Sequence, residues 1–438
     1  MLQHTLRLAL LVGFAALAPL PLAAEAVQSS LSGNYLAGRH AGSMRDAGIA
    51  ARYFADALAE DPGNPLLIER TFMLDLASGR IADAEEFAAK VISYNSQQRM
   101  ARLVLGLKAL RGNQPAEARA HFKETAYTPA GQLTAALLNA WSYAAERNPV
   151  QAFAALDSLD ANESFANFKS YHVALLADYL GLTARADQAF RQAYTALPSS
   201  LRLVQAYANF LVRQGRSAEA LKIYGEFLST AEKNPLILAA VAEAKTTGAK
   251  PRPFVSAALD GAGESLFSLA SALAGDQGLD TALAYAQLTV SVLPNSDVAH
   301  TLLGDIYEDL QRYEDAIAAY DSVAENSPLM PNAEIESAIN LQRLEKSVPA
   351  QARLTALLDR DPKNYEAIIT LGNLQRSAEN FGEAVKAYTR AIDMTPSPGK
   401  DQWSLYYYRG IANERNLITI WGYSCIDRRF SEGQTAVT

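Results

Sequence analysis

Along most of this chain apolar side chains recur at helical spacing in paired short segments, and one pair is plain in residues 302–320, LLGDIYEDLQRYEDAIAAY. Leu303, Ile306, Tyr307 and Leu310 fall on one face of a first helix, and Ala316, Ile317, Ala319 and Tyr320 on one face of a second. Each apolar stripe is too narrow to be buried within its own helix. The pattern therefore predicts helix pairs that must pack against further pairs.

The pairs return every 34 residues. Ala316 has alanine counterparts at Ala282, Ala350 and Ala384, and a second phased set links Ala50, Ala84, Ala118, Ala152, Ala186 and Ala220. Twelve positions before each alanine stands glycine or alanine, as at Gly38, Gly106, Gly304 and Gly372, with Phe72 the one large exception. Four positions after it stands a bulky residue such as Phe54, Phe122, Phe190, Tyr224, Tyr320 or Tyr388, and only Ala88 and Ala286 depart from this. Pro62, Pro198, Pro294, Pro328, Pro362 and Pro396 keep one further offset. Two small columns allow close helix approach, the bulky column fills the space between units, and proline, lacking an N–H, ends the second helix. Stacking then gives a quasi-linear array.

With these columns in these places the unit resembles the tetratricopeptide repeat, a 34-residue helix-turn-helix. The resemblance implies an all-α, right-handed α-solenoid. Ten units begin at Leu31, Pro65, Arg99, Leu133, Asn167, Leu201, Gly263, Asp297, Pro331 and Tyr365. They form a first array of six over residues 31–234 and a second of four over residues 263–398. Residues 235–262, with GAKPRP and DGAGES, read either as a shortened repeat or as a hinge. Residues 399–438 read as an incomplete repeat with an atypical tail, in which Gly422 replaces the due alanine and the face from Trp403 to Tyr408 is left uncovered.

The resemblance also implies a concave groove lined by the second, fifth, ninth and twelfth residues of the first helices, open to protein or peptide ligands. In the first array these slots hold Met100, Leu103, Leu107, Leu137, Trp141, Phe168 and Tyr171, an apolar strip able to take an amphipathic helix or apolar peptide side chains. The alternative is that these residues are core covered by neighbouring repeats. In the second array the slots hold Asp305, Glu308, Glu366, Asn373 and Arg376, a polar strip suited to a basic or hydrogen-bonding segment. Members that clamp acidic C-terminal tails need a Lys/Arg pair two units beyond a basic residue and Asn; Arg202 and Asn209 share a unit, but no such pair follows.

Composition narrows the rest. The net charge is −8, from 39 basic and 47 acidic residues without a basic stripe, which argues against a nucleic-acid partner. The start of the chain reads as a signal peptide over residues 1–26: His4 and Arg7, an apolar run from Leu8 to Ala18, Pro19 and Pro21, then Ala24-Glu25-Ala26 as the cleavage site. The run is about half of the roughly 20 residues a spanning helix needs, which disfavours the alternative of an uncleaved anchor. Export across the inner membrane of a Gram-negative bacterium to the periplasm is the expectation. One cysteine, Cys425, forms no intrachain bridge.

Candidate chemistry is sparse. His40, His121, His172 and His300 lie in different units without metal-type spacing, and His172 and His300 are expected in a surface or groove role. There is no phosphate-binding glycine loop and no Gly-x-Ser-x-Gly elbow. The expectation is a scaffold with no catalytic, cofactor or metal site, possessing no transmembrane segment and able to join an envelope complex. The alternative is a helper subunit of an envelope export or polysaccharide secretion system, by resemblance to the repeat regions of such proteins.

Overall fold

A computed structural model of the chain describes residues 30–44, 46–231, 233–275, 278–395 and 402–417. The expected signal peptide, Cys425 and Gly422 lie outside the described residues. Six helix pairs form the first array: α1 (Leu31–Ser43) with α2 (Ala47–Glu60), α3 (Pro65–Ala77) with α4 (Ile81–Tyr94), α5 (Arg99–Arg111) with α6 (Pro115–Lys123), α7 (Pro129–Ala145) with α8 (Pro149–Asp157), α9 (Ala166–Tyr179) with α10 (Thr183–Ala196), and α11 (Leu201–Arg213) with α12 (Ser217–Leu228). A single helix, α13 (Pro235–Ala244), follows. The second array comprises α14 (Ala258–Ala274) with α15 (Leu279–Val292), α16 (Asp297–Asp309) with α17 (Tyr313–Tyr320), α18 (Met330–Arg343) with α19 (Ser347–Arg360), and α20 (Tyr365–Ser377) with α21 (Phe381–Asp393). Residues 403–417 form a last helical segment, and no strand occurs among the described residues. The fold is an all-α solenoid.

The local causes are those of the columns. A Cβ at Gly38 would come within 2.9 Å of the Phe54 ring, and one at Gly372 within 2.8 Å of the Tyr388 ring, so the small residue is what lets the bulky one sixteen positions on reach its helix. The turn between the two helices of a unit carries a signature of its own. Gly79, Asn113, Arg147, Gly181 and Gly215, then Gln311, Glu345 and Glu379, all have positive φ, again at 34-residue steps. A left-handed residue ends the first helix and turns the chain into the second. Side-chain caps open several first helices: the Asn64 side chain accepts from the N–H of Leu66, and that of Asn364 from the N–H of Ala367.

The two arrays do not simply continue one another. After α13 the chain doubles back, and α14 packs on α7 and α9 while α15 packs on α3 and α5. All four are first helices of the first array. One continuous apolar core consequently runs from Phe54 to Ala333 through both arrays, and a second, separate core joins Ile335 to Ala412.

Candidate peptide-binding surfaces

The apolar strip expected to line an open groove is instead closed by the chain's own helices. Met100, Leu103, Leu107, Leu137, Trp141 and Tyr171 are all buried, Trp141 at 0 % exposure, and Phe168 is half-buried against the same core. The expectation of free apolar binding residues at these positions is therefore corrected. The occupant is α14 with α15, not the neighbouring repeats alone. An added Cβ at Gly261 would clash with the Trp141 ring, about 2.2 Å from its nearest atom, so this glycine of DGAGES sits within a helix and makes room for an indole. Burying an aromatic of that size removes on the order of 150–250 Å² from water, about 4–6 kcal/mol at ~25 cal/mol per Å².

Polar contacts fix the register of this seam. The Glu264 carboxylate accepts from the Arg202 guanidinium and, at 3.2 Å, from the Tyr171 hydroxyl. Burial raises the Tyr171 phenol far above its ordinary range, with the Glu264 charge adding to it, so the phenol stays a donor. Thr134 and Tyr285 share a hydroxyl–hydroxyl bond of 3.0 Å across 151 residues of sequence. Further along, the Tyr307 hydroxyl and the Arg312 guanidinium both donate to the Ala77 carbonyl at 3.4 Å. Arg202 and Asn209, considered above for a tail clamp, are both engaged internally, Asn209 by donating to the Arg252 carbonyl at 2.9 Å.

His172 departs from its expected surface or groove role. It is fully buried, and its Nδ1 accepts from the Trp141 indole N–H at 3.2 Å. His300 is buried as well, with Nε2 2.9 Å from the Pro294 carbonyl. Among the described residues no cluster of three or more His, Cys, Asp or Glu is placed to hold a metal ion, and no helix is long and apolar enough to cross a membrane.

The polar strip of the second array is different: it stays open. Asp305 and Glu366 are exposed, and Glu308, Asn373 and Arg376 are half-exposed, on α16 and α20. The Tyr320 hydroxyl donates to Asp305 at 2.7 Å and to Glu308 at 3.2 Å. Tyr388 repeats the arrangement by donating to Asn373 at 2.9 Å, with Arg376 Nε 3.3 Å from its oxygen. The column that fills the gap between helices thus also holds the groove's polar groups in place. Glu336 of α18 joins them. Burial lifts its carboxyl first, then the charges of Glu308 and Asp305, with Arg343 opposing and Glu366 adding a little more. Loss of hydration likewise lifts Asp305; Tyr320 pulls it back, and Glu308 and Asp309 raise it again. Sequence stepping missed Glu336 because the ninth slot of that unit is Ile339. The residue one turn earlier on the same helix face carries the charge, a relation that i,i+3 spacing could have revealed.

Residues 267–331 and 338–397 match the family model of the tetratricopeptide repeat. The matched segments therefore carry tetratricopeptide repeats, and the same columns and turns continue through the remaining helix pairs. Among solved structures it is similar to yeast Tom70, at 13% identity over 89% of this chain and 96% of that one, with a TM-score of 0.32. It is also similar to a tetratricopeptide repeat protein from Parabacteroides merdae, at 11% identity over 64% and 98%, with a TM-score of 0.28. Likeness at that level places no constraint on partner or process. No curated protein matches the sequence.

Proposed function

We propose that this protein is a non-catalytic scaffold of the bacterial cell envelope, exported to the periplasm by residues 1–26, whose second array receives a basic or hydrogen-bonding segment of a protein partner. The observation that carries the partner class is the open face of α16, α18 and α20. There burial and the charges of Glu308, Asp305 and Glu366 raise the Glu336 carboxyl, burial and the charges of Glu308 and Asp309 raise that of Asp305, and Arg343 is the cation that opposes them at Glu336. A lysine or arginine side chain entering this face relieves that repulsion, so charge complementarity selects for basic segments. The first array offers no competing open groove, since its concave strip is filled.

Calorimetric titration of the mature chain with an alternating Lys-Ala peptide and with its Glu-Ala counterpart tests the partner class. Binding of the first alone, weakened in an Asp305→Asn, Glu336→Gln double variant, supports the reading; equal binding of both peptides, or of neither, refutes it. Cell fractionation with and without residues 1–26 tests the location. Retention of the full-length chain in the cytoplasm would remove the envelope assignment.

A further inference from the structure

We propose that α14 is a built-in ligand of the first array, and that the groove it fills becomes available when the two arrays part about residues 245–257. The proposal stands apart from the reading of the second array's polar face. Three features carry it. First, α14 and α15 lie against α3, α5, α7 and α9, the helices that line a concave side, and so occupy the place of a bound helix. Second, the contacts are those of a recognised ligand: Gly261 lies under Trp141, and Glu264, one turn on, is held by Arg202 and Tyr171, which are otherwise buried. Third, the connection is of a kind that can swing. No helix spans the 245–257 interval, and it includes Pro251 and Pro253; it is tied to the first array through the Asn209–Arg252 bond and the buried Val255, so parting must release these as well.

The seam is also unevenly closed. Around Trp141 it admits nothing, whereas at its other end a cleft of about 500 Å³ remains between Ala47, Leu74 and Ala77 on one side and Leu283, Leu310 and Arg312 on the other. Parting can begin there. A competing partner must reproduce what α14 presents: an α-helix with a small residue facing Trp141 and a carboxylate three positions later for Arg202.

The test uses the mature chain and a fluorescently labelled synthetic peptide of residues 257–275. A Gly261→Leu variant drives a side chain into the Trp141 ring and should release α14 while the helix pairs persist. Its radius of gyration by small-angle scattering should rise with helical circular dichroism retained. The peptide should bind it about tenfold or more tightly than it binds wild type, because apparent affinity scales with the fraction of open groove. Adding Arg202→Ala should abolish that binding. A variant that stays compact, or opens without binding the peptide, overturns the proposal. Should Gly261→Leu fail to fold, urea titration of the wild type decides: expansion that precedes loss of helix supports the parting of arrays, and coincident transitions overturn it.

Discussion

Lowering the pH from neutral should weaken this protein through a single buried imidazole, that of His172. Its Nδ1 accepts the Trp141 N–H, so a ring proton can reside only on Nε2, which has no hydrogen-bond partner among the described residues. Protonating Nδ1 would set two donors against each other in a fully buried site. Burial accordingly pulls the pKa from 6.5 down to about 3. In the unfolded chain the ring keeps its ordinary value, so as pH falls below that value the unfolded state takes up a proton that the folded state refuses. Stability is complete above the unfolded pKa and is lost progressively between it and the folded one. The slope approaches about 1.4 kcal/mol per pH unit, which amounts to about 2 kcal/mol between roughly pH 7 and pH 5, before most carboxylates titrate. Urea unfolding followed by circular dichroism across that range, on wild type and on His172→Gln, isolates the contribution, since His121 and the other histidines are common to both. The variant should lose about 2 kcal/mol less than wild type over the interval. Parallel stability curves would refute the argument that a neutral His172 is required by the fold.

Other perturbations follow from the same geometry. Ala316→Leu overpacks a fully buried small column and should cost about 1–3 kcal/mol in chemical denaturation, whereas Trp403→Ser, at a ring 65 % exposed, should leave the midpoint nearly unchanged. Removing one partner of the seam's ion pair, as in Glu264→Ala, strands the buried Arg202 charge and should destabilise by about 3–5 kcal/mol, while an Arg202→Met, Glu264→Leu pair should recover much of that loss in a double-mutant cycle. Binding of a lysine-rich peptide to the second array should strengthen as pH rises through the elevated titration range of Asp305 and Glu336, because a bound cation favours their ionised forms. Titration calorimetry at a series of pH values measures this, and an affinity independent of pH would count against the involvement of those carboxyls.

The helix pairs were legible in the sequence because each depends on contacts within 34 residues: α1, α3, α5, α11, α16 and α20 begin at the residues where the step places a unit start. The filling of the first groove was not legible, because periodicity describes how a unit meets its neighbour and is silent on units far apart in the chain. Local propensity misled at DGAGES. Residues 235–262 read as a shortened repeat or hinge with the next unit opening at Gly263, yet α14 begins at Ala258, its Gly261 and Gly263 approach Trp141 and Leu293, and the helix start is secured where Asp260 accepts from the N–H groups of Ser256 and Ala257. A trace of the seam was nonetheless present. The two units whose size columns deviate, that of Phe72 and Ala88 and that of Ala286, are the ones whose α3 and α15 meet across it. In the first of these the large and small residues have exchanged columns, which conserves volume while reshaping the face. The face from Trp403 to Tyr408 is only partly uncovered: Trp403 and Tyr407 are exposed, whereas Leu405 is buried and Tyr408 packs on the second core.

Tyr285 reaching Thr134, and Tyr307 reaching Ala77 across 230 residues, give this solenoid a property most linear arrays lack. An ordinary row of repeats can nucleate anywhere and zip outward through nearest neighbours. In this chain the closing contacts must wait until units 151 and 230 residues apart have formed and met, so the final phase of refolding should be slow and sensitive to chain breaks between them.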